Sequence, residues 1–455
     1  MVTKTTSKSS TVAAVALFIV LVICFAFSTV FENQLFRSLR FPQGTLQQQT
    51  WDRRIIKQAP QETASATITC DRSHTNYDLC SINGSCSLDI KTGTLTLMDP
   101  TFATSASHVE KIRPYPRKSE NWIMNRIKEL TLTSGPLGLA QSCDITHGSP
   151  AIVFSAGGYT GNVFHDFMDG LIPLFITANS IYPDRDFILV VANSKKWWMS
   201  KYNDILSEVS RHKPILLDQE NVAITHCFTS SIVGLISHGP MKIDPTKIPN
   251  SKSFVDFHNF LDKAFTTNLS TTLRTLKPRL ILVSRYGSIG RVILNEKEVK
   301  EMLEDVGFEV IIFRPSKMTN LREAYQLIKS SHGIVGVHGA ALTHLLFLRP
   351  GSVLVQIVPV GLGWVAKMCF ETPSKAMNLE YSEYLLHVEE SSLIEKYNKD
   401  DLVLKDPIAF RGMTWNSTKM DVYLKEQNVR LGVNRFRKYM DKAYEKAKLF
   451  MDITG

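Results

Sequence analysis

The chain has 455 residues, 44% of them apolar, and a formal net charge of +9, which is length enough for two or three domains and a large buried core. Its 52 Lys and Arg are scattered among 43 acids without a nucleic-acid-binding signature, so no nucleic-acid partner is expected and the charge suits anionic small molecules or acidic glycans. No Walker lysine motif and no G-x-G-x-x-G occurs, which removes the ATPase and dinucleotide oxidoreductase readings.

Residues 1–11 form a short tail with Lys4 and Lys8, and Val12–Phe31, "VAAVALFIVLVICFAFSTVF", gives 20 residues free of charge and proline. That is the length of a bilayer-spanning helix, so residues 12–31 are expected to be a transmembrane signal-anchor. The competing reading is a cleaved signal peptide with Ala26 and Ser28 at its site, against which the apolar run is long. Arg37 and Arg40 follow the span as closely as the lysines precede it, so the positive-inside rule does not orient it. After the span come three Asn-x-Ser/Thr sequons, at Asn83, Asn268 and Asn416, and six cysteines: Cys70, Cys80, Cys86, Cys143, Cys227 and Cys369. In a glycosylating compartment six cysteines would allow three disulfides; cytosolic free thiols are the alternative. Residues 32–69, rich in Gln, Thr and Ser, read as a stem.

The amino-terminal half, residues 70–275, enters through three cysteines within Cys70–Asp89, a spacing that fits a disulfide staple better than zinc. "AIVFSA" (151–156) reads as a buried strand, "GGYTGN" (157–162) as a Gly-rich turn, and residues 163–182 as a helix bent at Pro173. "FILVVAN", "PILLD" and "SSIVGLISHG" continue as short apolar runs between turn and helix signals.

The carboxyl-terminal half, residues 276–455, is more regular. "RLILVSR" (279–285), "FEVIIF" (308–313), "GIVGV" (333–337) and "SVLVQIV" (352–358) read as buried strands. Asn295 with Glu298, and Asn320 with Glu323, form capping boxes for the two helices between the first three. Strands alternating with helices give a parallel, doubly wound sheet, so the expected architecture is α/β, two Rossmann-like domains facing a cleft.

Ligands of such sheets sit at the carboxyl ends of strands, where Gly157–Gly161 and His338–Ala340 both fall. The backbone at Gly339 and Ala340, with His338 and Thr343, could cradle a diphosphate at the start of the next helix; a tight turn with a capping His is the plainer reading of the same residues. Arg285 and Arg291 lie in the loop after a neighbouring strand, where guanidinium groups can pair with phosphate oxygens. Ser284 could join them or simply satisfy the loop. Asn295 and Glu296 are as well explained by capping as by ribose binding. In "NVFHDFMD", His165 and Asp169 share a helix face while Asp166 sits in the first turn, where an ionised carboxylate is favoured. "YPDRDFILVV" carries Asp184-x-Asp186, a metal-binding spacing, but ahead of its strand, so it reads as a polar turn and no metal is expected.

Several separated motifs occur in one order: "RPYPRK" (Arg113–Lys118), "GGYTGNVFHDFMD" (Gly157–Asp169), Ser284, Arg285, Arg291, Asn295 and Glu296, "GVHGAALTH" (Gly336–His344) and "VRLGVNRF" (Val429–Phe436). On these residues, over roughly 70–445, the chain resembles the plant branch of glycosyltransferase family 61; Cys86 is an extra thiol that leaves the family's disulfide pattern open. The resemblance implies a GT-B-type, inverting enzyme of the Golgi membrane, single-pass type II with a lumenal catalytic domain, requiring no cofactor or metal. It implies a UDP-xylose or UDP-arabinose donor, xylosyl transfer before arabinosyl, and a xylan acceptor. The donor would be bound by Ser284, Arg285, Arg291, His338, Gly339, Ala340 and Thr343. Inversion needs a base: Asp166 is the first choice, His165 the alternative, and Asp169 an orienter. The rival functions are a xylosyl- or N-acetylglucosaminyltransferase acting on glycoproteins, and a catalytically silent scaffold binding nucleotide sugar or partners in a Golgi enzyme complex.

Overall fold

The computed structural model describes residues 66–98, 108–134, 142–218, 223–266, 275–287, 290–412, 415 and 417–454. The expected tail, span and stem therefore lie outside the described residues, as do Asn268 and Asn416; Asn83 is half-buried at the end of a strand. No helix among the described residues is long and apolar enough to cross a membrane.

Seventeen strands follow in chain order: β1 (Thr67–Asp71), β2 (Leu79–Asn83), β3 (Cys86–Asp89), β4 (Thr94–Leu97), β5 (His108–Ile112), β6 (Leu130–Ser134), β7 (Ile145–Thr146), β8 (Ala151–Ser155), β9 (Ile188–Ala192), β10 (Ile215–Leu216), β11 (Thr225–Phe228), β12 (Ser231–Val233), β13 (Arg279–Val283), β14 (Glu309–Phe313), β15 (Gly333–Val337), β16 (Val353–Val358) and β17 (Glu380–Leu385). Among the described residues they form three sheets. The first, ordered β1-β2-β12-β8-β9-β10, is parallel from β12 to β10 with an antiparallel extension at β2 and β1. The second is a mixed sheet ordered β5-β6-β4-β3-β11-β7. The third, ordered β14-β13-β15-β16-β17, is wholly parallel.

The second sheet changes the expected architecture of the amino-terminal half. Along β8 and β9, Ile152, Phe154, Leu189 and Val191 enter the main core, while Ala151, Val153, Ile188 and Val190 enter a separate one with Ile82, Leu88, Leu95 and Leu132. Period-two alternation thus buries both faces of the first sheet, one against helices and the other against the second sheet. The half is Rossmann-like on one face only. The third sheet is covered by helices on both sides as expected, and the main core runs without a break from Tyr77 to Ala447, through both halves.

Two disulfides form, Cys70–Cys80 across β1 and β2, and Cys143–Cys227. Cys86 and Cys369 are buried free thiols, each pushed up to about 12 by burial, so the six cysteines give two bridges and not three.

The helix after β8, α1, is continuous but not uniform: Val163–His165 is α-helical, Asp166–Leu171 widens into a π turn, and Ile172–Ile181 is α-helical again. Pro173 falls in the first turn of the second α segment, just after the widened turn, where its missing N–H is best tolerated. Helix α2 (Lys196–Val209) follows β9, and α3 (Glu296–Val306) follows β13. After β16, helix α4 repeats the design of α1: Gly363–Ala366, a π turn at Lys367–Glu371, then Thr372–Ala376 with Pro373 near its start. Asn320 caps its helix as expected, accepting from the N–H groups of Arg322 and Glu323. Asn295 does not: its side chain binds the N–H and C=O of Leu431, tying the start of α3 to the chain's closing segment.

Candidate active site

The strand order of the third sheet reverses direction between β13 and β15, and at such a point the loops leaving the two carboxyl ends diverge and open a crevice. Arg285 leaves β13 there and His338 leaves β15. Between them lies Gly339, whose backbone is covered by the guanidinium groups of Arg285 and Arg291 so closely that any side chain would collide with Arg285. Arg291 is held in a left-handed conformation, φ 61°, by an N–H bond to the Gln427 carbonyl, and its Nη1 donates to the His338 carbonyl at 3.0 Å.

The electrostatics of this corner are lopsided. Burial lowers both arginines, Arg291 to about 9 with the neighbouring Arg285 charge adding to the effect. Neither guanidinium has a carboxylate partner among the described residues, and the Arg291 Nε is buried without any partner. His338 is 4% exposed, and burial followed by the two arginine charges pushes it down to about 3, so the ring is neutral near pH 7. Its Nδ1 lies 2.9 Å from the Gln356 side-chain amide, whose oxygen accepts from the Tyr381 hydroxyl at 2.8 Å. That chain assigns Gln356 as donor to Nδ1, which leaves the His338 proton on Nε2. Two buried cations and an N–H donor around a glycine make a site for an anion.

The other expected donor-site residues divide. Gly339 and Ala340 open the 3-10 helix Ala340–Phe347, whose first N–H groups have no partner within the helix. Thr343 is buried with an unpartnered hydroxyl. Ser284 is turned away: its hydroxyl donates to Glu296, which also pairs with Arg314.

Facing this corner, α1 brings together His165 and Asp169, with Nδ1 to Oδ2 2.9 Å. Asp169 is 3% exposed and accepts from Arg117 Nε at 2.9 Å and from the Tyr115 hydroxyl at 3.0 Å. Arg117 Nη2 approaches His165 Nδ1 at 3.3 Å, and its Nη1 donates to Glu120 at 2.7 Å. Burial opposes the Arg117 charge, but the Asp169 and Glu120 carboxylates outweigh it and the group is held above its ordinary value. The His165 ring stacks on Tyr159 with centroids 4.1 Å apart. With Nδ1 committed to Asp169, Nε2 is the nitrogen available to take a proton.

Asp166, one residue along, has a different environment. Its oxygens accept from Trp198 Nε1 at 3.1 Å and the Tyr202 hydroxyl at 2.8 Å, both on α2, and it is 5% exposed. Burial raises it, partly offset by those hydrogen bonds. Both Asp166 oxygens are thus already engaged by buried donors of α2. The two corners meet through aromatic rings: Phe370, on the π turn of α4, packs against Phe164 at 5.7 Å and against His338 at 5.2 Å, and Phe164 adjoins His165.

Asp184 and Asp186 fall in the expected turn before β9, where Asp186 accepts from Ser149 at 2.8 Å and lies 2.7 Å from His212 Nε2. Among the described residues no group of three or more His, Cys, Asp or Glu is placed to hold a metal ion.

Sequence reasoning had given no role to Tyr115, Arg117, Gln356, Tyr381 or Phe370. Tyr115 and Arg117 stand in the "RPYPRK" stretch, whose density of cationic and aromatic residues was the one available signal.

An imidazole held by a carboxylate through Nδ1, opposite an anion site, suits displacement of a phosphate-linked group by an activated hydroxyl. Comparison with known proteins agrees with that chemistry. A sequence model of the family Glycosyltransferase 61 matches residues 161–355. A xylan glycosyltransferase of Arabidopsis thaliana, MUCI21, is 38% identical over 401 residues, covering 84% of this chain and 80% of its own length. A beta-1,2-xylosyltransferase of Oryza sativa subsp. japonica, XYXT1, is 34% identical over 86% of this chain and 87% of its own. An alpha-1,3-arabinosyltransferase of the same organism, XAT3, is 34% identical over 81% of this chain and 63% of its own. The chain belongs to the Glycosyltransferase 61 family and is a glycosyltransferase.

Proposed function

We propose that the chain is an inverting, GT-B-type pentosyltransferase that moves xylose, or next arabinose, from a UDP-sugar onto xylan. The observation that carries the reading is the acid-free pair Arg285 and Arg291 over Gly339, set across the Phe164–Phe370 contact from His165 and Asp169. The UDP diphosphate supplies the anion that this pair lacks. His165 Nε2 takes the proton of the acceptor hydroxyl as its oxygen attacks the anomeric carbon from the face opposite the diphosphate. The bond from that carbon to the phosphate oxygen breaks, its electron pair leaves with UDP, and configuration inverts. Arg285, Arg291 and the His338 Nε2–H meet the charge that develops on the leaving group, which assigns to protein groups what a metal does elsewhere. Asp169 stabilises the imidazolium formed and, with Arg117 and Tyr115, fixes the ring. Asp166 is a packing residue on this reading.

Xylan and a pentose are favoured because the three plant relatives above carry xylan, xylosyl or arabinosyl transfer in their names. The Golgi lumen, with residues 12–31 as a type II anchor, is favoured by the apolar run and by the two disulfides, since bridged cysteines belong to oxidising compartments. The test is a donor panel. The full chain is incubated with xylohexaose and UDP-xylose, UDP-arabinofuranose or UDP-N-acetylglucosamine, and product masses are read. Gain of one pentose from one donor supports the reading; transfer only to a glycopeptide acceptor would replace it with the glycoprotein-directed one.

A further inference from the structure

The short helical turn Asn121–Met124 carries Trp122, which is 54% exposed although its neighbour Ile123 is fully buried. Ile123 packs with Tyr115 and Ile127 in a small core of its own, against which Tyr159 also rests, so the turn is rigidly seated while its largest side chain is left in water. Trp122 touches Tyr159 edge to face with centroids 5.3 Å apart, and Tyr159 stacks on His165 at 4.1 Å. The Tyr159 hydroxyl donates to Glu120 at 2.7 Å, the same carboxylate that holds Arg117. An aromatic path therefore leads from an exposed indole, in two ring-to-ring steps, to the proposed base. The guanidinium of the exposed Arg126 lies 5.1 Å from the centre of the indole.

We infer that Trp122 is an acceptor subsite, a platform on which one xylopyranose unit of a β-linked xylan chain stacks while a neighbouring unit presents its hydroxyl to His165. The inference rests on the acceptor reading above and adds where the chain lies. A β-xylopyranose ring holds its hydroxyls equatorial and lacks a hydroxymethyl group, so both its faces are rows of axial C–H bonds, weakly positive and apolar. Such a face matches the negative π surface of an indole. The Arg126 guanidinium lies over one face of the indole, so the sugar would take the opposite face. Tyr115 packs with Ile123, the neighbour of Trp122, and also holds Asp169, so the turn that carries the platform and the base share one support.

The test compares wild type, Trp122→Ala and Trp122→Phe in the full chain, by xylohexaose transfer kinetics and by calorimetric UDP binding. Trp122→Ala is expected to raise the acceptor KM about tenfold, the loss equivalent to about 1.4 kcal/mol of contact, with UDP affinity unchanged, and Trp122→Phe to recover most of it. An unchanged acceptor KM in Trp122→Ala would overturn the platform while leaving the acceptor reading intact. If wild type itself neither binds nor extends xylohexaose, platform and acceptor reading fall together.

Discussion

His165 and Asp169, four residues apart on α1, meet at 2.9 Å between Nδ1 and Oδ2, and the carboxylate is itself fixed by Arg117 and Tyr115. The pairing sets the imidazole tautomer, because a carboxylate can only accept. In Asp169→Asn the amide oxygen can keep Arg117 while its NH2 donates to Nδ1, moving the ring proton to Nε2 and blocking the base. Transfer should fall by about a hundredfold or more with UDP affinity unchanged. Steady-state kinetics beside calorimetry check this; a near-normal kcat would remove Asp169 from the mechanism.

Asp166 provides the contrasting case. Its carboxylate satisfies Trp198 Nε1 and the Tyr202 hydroxyl in the core, so Asp166→Ala strands both donors and should cost about 2–4 kcal/mol of stability. Asp166→Asn can serve both partners and should keep more than about a tenth of the transfer rate, given a loss no greater than a single hydrogen bond. Abolished transfer in a normally stable Asp166→Asn would make Asp166 the base in place of His165.

Arg285 and Arg291 share a buried corner with no carboxylate among the described residues; burial makes both charges harder to hold, and the Arg285 charge adds to the effect on Arg291. Arg285→Ala should weaken UDP binding by at least about tenfold, as expected for a lost hydrogen bond to a charged group. The unliganded protein should melt no lower than wild type, because a like-charge repulsion is removed along with the ligand contact. Differential scanning fluorimetry with and without UDP reads both effects, and a lower melting temperature without UDP would contradict the account.

Three histidines of the third sheet and its loops are buried and neutral: His332 and His344 are lowered to about 4 and His338 to about 3, burial being the largest cause in each. Their ordinary value is 6.5, so between about 6.5 and 4 the unfolded chain binds protons that the folded chain does not. Stability is therefore complete above about pH 6.5 and falls as the pH drops through that window, by up to about 1.4 kcal/mol per pH unit for each group. His344→Leu removes one such group together with an unpartnered Nε2. Its melting temperature should fall less than that of wild type between pH 7 and pH 5; an equal fall would show that His344 does not contribute.

The carboxyl-terminal half was legible in the sequence because β13, β15 and β16 are almost wholly buried apolar runs and β14 is an apolar run following a glycine, which leaves little choice of element; β17, polar and largely exposed, carried no such signal. The half's parallel order places Arg285 and His338 together without further information. The second sheet was not legible. Its strands are two to five residues long and polar or mixed in composition, as in TLTL of β4 and HVEKI of β5, and their partners are remote: β3 pairs with β11 and β4 with β6. Pairing of that kind is decided by tertiary packing and not by local pattern. The same limit governs the site. His165 and Asp169 are visible as an i, i+4 pair, whereas the commitment of Asp166 depends on Trp198 and Tyr202, which a separate helix supplies. Asn295 shows the converse, a good local capping signal overridden by a stronger tertiary partner in Leu431.

The most direct test of the account compares wild type and His165→Ala for transfer from UDP-xylose to xylohexaose in the presence of EDTA, with UDP affinity measured on both. The account predicts one added pentose for wild type, a rate lower by about a hundredfold or more in His165→Ala, and equal UDP binding. Transfer by His165→Ala at the wild-type rate, or a wild type silenced by EDTA, would contradict it.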